Sequence, residues 1–147
     1  MDLIRNDLNT FCLPGTVQVE NPFEIFVAGQ LFQMQSSITG IKPSHFGLGD
    51  CLSHMLPAGS VTGTPKKIVS QLISQYEKTE RGYYTGVCGV LEPNGNFDSC
   101  VLIRSVYRGK RGTYCGIGAG LTTLSETKSE IQEFKLKLKS FAQRIDL

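Results

Sequence analysis

Tyr83-Tyr-Thr-Gly-Val-Cys-Gly-Val-Leu-Glu-Pro-Asn-Gly-Asn-Phe-Asp-Ser-Cys-Val-Leu-Ile-Arg-Ser-Val-Tyr107 is the stretch that decides the fold class. It holds two apolar, β-branched runs, Tyr83–Leu91 and Phe97–Tyr107, on either side of Asn94-Gly95, a pair that favours the backbone twist of a tight hairpin. Gly109 and Gly112 punctuate a second turn, and Thr113–Gly118 reads as a third strand. Antiparallel strands joined by turns, with helical patterns before and after, predict an α+β arrangement and not a doubly wound parallel sheet.

Working towards the N-terminus, Pro65 suits the start of a helix in which Ile68, Leu72 and Ile73 keep the helical period. Before it lies a glycine-punctuated loop, Pro57–Lys66, and a short helix candidate, Ser44–Leu56. Phe32–Ile41 reads as a strand, and so does Thr16–Glu20, where apolar and polar residues alternate. Met1–Leu8 resembles the last turns of a helix. Towards the C-terminus, Glu126–Ile145 has apolar residues at Ile131, Phe134, Leu138, Phe141 and Ile145, a spacing that predicts a helix with a buried stripe.

Composition narrows the functional classes. The chain has 147 residues, 40% hydrophobic and 19% charged, with a formal net charge of +2. That is enough chain for a real core, and too balanced a charge for a nucleic-acid-binding stripe. No apolar run approaches a membrane span, and the charged residues Asp2, Arg5 and Asp7 argue against a signal peptide. The five cysteines (Cys12, Cys51, Cys88, Cys100 and Cys115) have no zinc-type spacing and read as reduced thiols of a cytoplasmic protein. Cys88, Cys100 and Cys115 are expected to be small buried hydrophobes.

Three constellations could carry chemistry. On a helix, Glu130, Glu133 and Lys137 fall within roughly 60° of one another. Two carboxylates one turn apart can share an oxygen-ligated divalent cation such as magnesium, with the lysine holding a substrate carboxylate or neutralising the pair. Thr127 with Glu130 would equally make a capping box, and Glu133 with Lys137 an ordinary helix ion pair. Gly116-Ile-Gly-Ala-Gly120 lacks side chains that would keep an anion off the backbone, although glycines of a bulged strand look the same. Arg104 lies in the otherwise apolar run Cys100–Ser105, where a guanidinium needs a partner: a bidentate substrate carboxylate or an internal acid. Tyr83 and Tyr84 suit core and edge positions. Neither His45 nor His54 has a catalytic partner pattern.

Taken in order, Asp2-Leu-Ile-Arg-Asn-Asp7, Pro57–Lys66, Arg81-Gly-Tyr-Tyr84, Asp98–Ser105, Gly118-Ala-Gly120 and Glu130-x-x-Glu133-x-x-x-Lys137 resemble the chorismate-utilising enzymes. That family includes anthranilate synthase component I, aminodeoxychorismate synthase component I, isochorismate synthase and salicylate synthase. The resemblance implies a layered α/β/β/α fold with mainly antiparallel sheets, of which residues 1–147 form the C-terminal portion of a single chorismate-binding domain. The N-terminal half would be missing, and with it the family's first carboxylate pair, which stands just ahead of the Asp2–Asp7 motif.

The resemblance also implies roles. Glu130 and Glu133 fall on the second pair of Mg2+ ligands, and Lys137 lies near the metal centre. Tyr84 and Arg104 fall on residues that hold the enolpyruvyl carboxylate of chorismate, Gly118 and Gly120 line the pocket, and Ser60 places a hydroxyl facing the substrate. Gln33 stands where a histidine is common in anthranilate and isochorismate synthases. Glutamine does no acid–base work near neutral pH, which suits a member that adds ammonia without expelling pyruvate. The resemblance therefore leans towards the aminodeoxychorismate synthase branch, with ammonia from a glutamine amidotransferase partner. Anthranilate synthase component I, or an inactive fragment with a binding or structural role, are the alternatives.

Overall fold

Alternation beginning at Gln18 builds the first hairpin. In the computed structural model, which describes residues 1–28, 31–110 and 112–142, strand β1 (Gln18–Ala28) pairs antiparallel with β2 (Leu31–Thr39). The first strand runs well past the expected Thr16–Glu20. Asn21-Pro22 does not end it, because a bulge between Glu20 and Glu24 absorbs the irregularity. Asn21 and Phe23 take left-handed φ values of 46° and 59° there, and the Phe23 N–H donates to Ser36 Oγ at 2.9 Å. Register sets Val27 opposite Phe32 and Ile25 opposite Met34 on one face, with Phe26 opposite Gln33 and Glu24 opposite Gln35 on the other.

The chain divides into two compact units, Met1–Lys78 and Thr79–Leu147. The first unit contains this hairpin and four helices: α1 (Asp2–Asn9), α2 (Leu48–Met55), α3 (Gly59–Thr62) and α4 (Lys66–Tyr76). Pro65 is the N-cap of α4, one position earlier than expected, and its carbonyl accepts from Val69 N–H at 3.0 Å. Phe11 and Phe46 from the loops of this unit pack with His54 of α2, with ring centroids 5.5–6.1 Å apart.

The second unit follows the glycines. Strands β3 (Val87–Leu91) and β4 (Phe97–Val101) pair antiparallel across the Asn94-Gly95 turn. Gly95 sits at φ 91°, and Glu92 N–H closes the turn on the Asn96 carbonyl at 2.8 Å. Strands β5 (Val106–Gly109) and β6 (Gly112–Cys115) form another hairpin, and α5 spans Thr127–Ala142. Two expected strands are shorter than the sequence suggests. Tyr83–Gly86 is a turn, tied by Tyr84 N–H to the Arg81 carbonyl and Gly86 N–H to the Tyr83 carbonyl, both at 3.0 Å. The expected Phe97–Tyr107 strand breaks after Val101, because Arg104 adopts φ 50°, which no strand accommodates. Gly116–Gly118 lies beyond β6.

The architecture is thus α+β, built from two-stranded antiparallel hairpins and helices. The burial expected from the sequence is not realised: among the described residues no hydrophobic side chain is fully buried. Cys88, Cys100 and Cys115 are exposed, and Ile131, Phe134 and Leu138 of the helix stripe are 37–52% exposed. A two-stranded hairpin makes its hydrogen bonds locally without burying either face, which is why strand formation and burial part company here. The side chain of Phe141 and all of Ile145 lie outside the described residues. What is buried is polar: Asp7, 2% exposed, and Thr85.

Candidate functional site

In the first unit the buried carboxylate of Asp7 organises three helices. Its Oδ2 accepts the Gly59 N–H at 2.8 Å, and its Oδ1 pairs with Lys66 Nζ at 2.7 Å. The same ammonium donates to the Met55 carbonyl at 3.1 Å and the His54 carbonyl at 3.3 Å. All three donors of an ammonium are thereby engaged. This cluster joins the end of α1 to the end of α2 and to the starts of α3 and α4. Sequence reasoning quoted both motifs involved but attached no role to Asp7 or Lys66, since nothing local in either motif announces a partner so far along the chain.

Ser60 sits on α3 immediately after Gly59 and is exposed. No hydrogen bond of its hydroxyl is found among the described residues, whereas Thr62 Oγ1 on the same turn bonds back to the Ala58 carbonyl at 3.0 Å. Gln33 is exposed on β2, on the face shared with Phe26, Glu24 and Gln35. Nearby, burial pushes the Cys12 thiol up from its ordinary pKa, and the adjacent Cys51 adds to the shift.

In the second unit the glycines are used for close approach. A Cβ on Gly116 would collide with the Tyr84 ring, and one on Gly118 with the Tyr84 hydroxyl, whereas a Cβ on Gly120 would meet nothing within 4 Å. Tyr84 therefore lies flat along the Gly116–Gly118 backbone, where only glycine leaves room for it. The Arg81 guanidinium carbon stands 5.9 Å from the Tyr84 ring centroid, a cation–π distance. Tyr83, Tyr84, Leu102, Val106, Tyr107 and Gly116 line a small apolar cleft of about 100 Å3. Arg104, in the break between β4 and β5, is exposed, with no ion pair among the described residues. Its left-handed backbone costs about 1–2 kcal/mol in a non-glycine residue, the kind of strain that accumulates at functional positions.

Helix α5 meets the glycine segment through Lys137, whose Nζ donates to the Gly118 carbonyl at 3.0 Å and pairs with Glu133 Oε1 at 2.5 Å. The helix ion pair expected from spacing is present. The capping box is not: Thr127 is already the first helical residue, and Glu130 N–H is bonded to the Glu126 carbonyl at 3.0 Å. Instead, Glu130 Oε2 is buried with no hydrogen-bond partner among the described residues. A buried, partnerless carboxylate oxygen is costly, and one turn from a second carboxylate it suits an oxygen-ligated divalent cation. Among the described residues no group of three or more His, Cys, Asp or Glu side chains is placed to hold a metal ion, and Glu130 and Glu133 are the two carboxylates that α5 carries. The structure brings Tyr84, Gly118, Glu133 and Lys137 into one connected set. It does not bring Gly120 into contact with that set through its missing side chain.

The profile of the chorismate binding enzymes matches residues 1–143. Anthranilate synthase component 1 of Spirochaeta aurantia is 34% identical over 148 aligned positions, covering all of this chain and 30% of that protein. The chloroplastic aminodeoxychorismate synthase of Arabidopsis thaliana is 32% identical over 145, covering 99% of this chain and 16% of that protein. Among solved structures, anthranilate synthase component I from Streptococcus pneumoniae superimposes with a TM-score of 0.85 at 31% identity, over 95% of this chain and 32% of that one. The chain thus spans about a third or less of the length of these relatives.

Proposed function

The chain belongs to the chorismate-binding enzymes, and from that premise we propose that it forms part of an aminodeoxychorismate synthase component I, which aminates chorismate to 4-amino-4-deoxychorismate. The observation that carries the reading is the connected set in the second unit: Tyr84 seated on Gly116 and Gly118, Gly118 held by Lys137, and Lys137 paired with Glu133 one turn from the partnerless Glu130 oxygen.

In this reading Arg104 and Tyr84 grip the enolpyruvyl carboxylate, the guanidinium through a bidentate pair. The Gly118–Gly120 backbone lines the ring pocket, and Ser60 offers its hydroxyl. Glu130 and Glu133 would hold Mg2+, which would supply electrophilic positive charge when bound. Lys137 keeps Glu133 and the Gly118 carbonyl in register with that charge.

Gln33 is what favours amination without loss of pyruvate, because its amide neither gives nor takes a proton near neutral pH. Ammonia then comes from a glutamine amidotransferase partner. Five free thiols suit a reducing, cytoplasmic setting, and no helix among the described residues is long and apolar enough to cross a membrane. The similarity to anthranilate synthases, at 34% identity, supports the second reading, conversion of chorismate to anthranilate. Product analysis of the protein in its natural reading frame, given chorismate, ammonia and Mg2+, separates the two. Aminodeoxychorismate is expected, and anthranilate as sole product overturns the choice.

A further inference from the structure

We infer that Asp7 and Lys66 are positioning residues for Ser60: their ion pair, buried at its Asp7 end, clamps the Gly59–Gly63 turn and thereby fixes where the Ser60 hydroxyl stands. The inference rests on the reading of Ser60 as a substrate-facing hydroxyl. Four observations lead to it. Asp7 is the one charged side chain fully buried among the described residues. Its two oxygens are divided between the Lys66 ammonium and the Gly59 N–H. Gly59 can take no Cβ without strain, because one would lie 3.0 and 3.3 Å from the two carboxylate oxygens. The following residue is Ser60, exposed and unbonded on a turn whose other hydroxyl is already committed to its own backbone.

The physical argument concerns a short helix. Four residues from Gly59 to Thr62 are too few to hold their own geometry, so the turn must be fixed from outside. At its start the Asp7 carboxylate takes the backbone N–H that a helix leaves unsatisfied. At its end Gly63 adopts φ 132°, open to glycine alone, against the Val69 side chain of α4. Lys66 opens α4 and returns to the same carboxylate and to the last carbonyls of α2. Both ends of the turn are therefore referred to Asp7. A carboxylate suits the task because it accepts from a neutral N–H and a cation at once, and burial strengthens both bonds.

The test is a double-mutant cycle on chorismate affinity, measured by calorimetry with Mg2+ present, using Asp7→Asn, Ser60→Ala and the pair. Amide spectra of the 15N-labelled chain follow the fold and the Gly59 N–H directly. Ser60→Ala is expected to weaken binding about five- to tenfold, the loss of one hydroxyl hydrogen bond. Asp7→Asn should weaken it comparably, move the Gly59 amide resonance and leave the β1–β2 amides in place. The double variant should bind no worse than the weaker single one, since Asp7 acts through Ser60. Should Asp7→Asn unfold the first unit, Gly59→Ala replaces it, keeping both charges while pushing the carboxylate off the turn. Multiplicative losses in the double variant, or an Asp7 variant that binds normally, overturn the clamp and leave the role of Ser60 standing. Ser60→Ala binding as tightly as the unaltered chain, or an unaltered chain that binds no chorismate, overturns the reading of Ser60 and the clamp with it.

Discussion

Replacing Arg104 by glycine and by alanine separates its backbone from its side chain. The residue sits at φ 50°, is exposed and makes no ion pair among the described residues, so removing the guanidinium costs the fold little. At an ordinary φ, glycine is less stable than alanine by about 0.4–1 kcal/mol through unfolded-state entropy. At Arg104 alanine keeps about 1–2 kcal/mol of left-handed strain that glycine sheds. The difference reverses sign, with R104G more stable than R104A by about 0.5–1 kcal/mol. For a urea slope of about 2 kcal/mol per molar this is a midpoint shift of about 0.25–0.5 M. In the proposed site both variants lose the same charge-assisted contact to the substrate carboxylate, which is expected to cost about 1.5–3 kcal/mol, or roughly ten- to 150-fold in chorismate affinity. Paired urea titrations and calorimetry read the two effects separately. If R104A proves as stable as R104G, the strain is not there. If R104A binds chorismate as tightly as the parent, the guanidinium does not hold the substrate.

Other consequences are equally direct. Glu130→Ala removes the partnerless buried oxygen and should stabilise the chain by about 1 kcal/mol while abolishing Mn2+ binding followed by water relaxation. Glu133→Ala, which breaks a half-exposed helix pair with Lys137, should cost less than about 0.5 kcal/mol and also abolish Mn2+ binding. Gly116→Ala forces a Cβ into the Tyr84 ring and should cost about 1–3 kcal/mol, with Gly120→Ala, which meets nothing, near neutral in the same melting experiment. The raised Cys12 thiol pKa makes the folded state hold its proton more tightly than the unfolded one. Its contribution to stability is full below the ordinary thiol range and is lost as pH rises through the folded value, so Cys12→Ala should flatten the stability profile above about pH 8.5.

How much of this was legible depended on how local the cause is. The β3–β4 hairpin follows from Pro93-Asn-Gly-Asn96, four residues that close on themselves. The edge formed by Glu130, Glu133 and Lys137 follows from helical periodicity, and the ion pair it predicts is present. Spacing alone could not tell whether Glu130 caps the helix, because that depends on where the helix starts, and Thr127 lies inside it. The strand break before Arg104 was hidden for a different reason: Val101-Leu-Ile103 is as β-prone as the strand before it, and only backbone dihedrals show that the strand has ended. The Asp7–Lys66 pair was hidden most deeply. Each residue looks like an ordinary surface charge on its own helix, and Asp7 is buried against a turn contributed by a third segment.

These elements also explain why the two carboxylates of α5 should not be treated as equivalent. Glu133 is neutralised by Lys137, and Lys137 is fastened to the Gly118 carbonyl. Gly118 is covered by the Tyr84 hydroxyl, and the Tyr84 ring lies over Gly116. The turn that carries Tyr84 is held by Thr85, whose N–H donates to the Leu102 carbonyl at 2.9 Å, two residues before Arg104. Each step is a contact between packed or hydrogen-bonded atoms, so a change in the pairing of Glu133 has a physical route to the tyrosine and to the strained arginine. Glu130 stands outside that chain, with a buried oxygen that no described residue satisfies. In the proposed site a cation at α5 would gain most from Glu130, which has no ion pair among the described residues, and would be sensed by the other residues through Glu133.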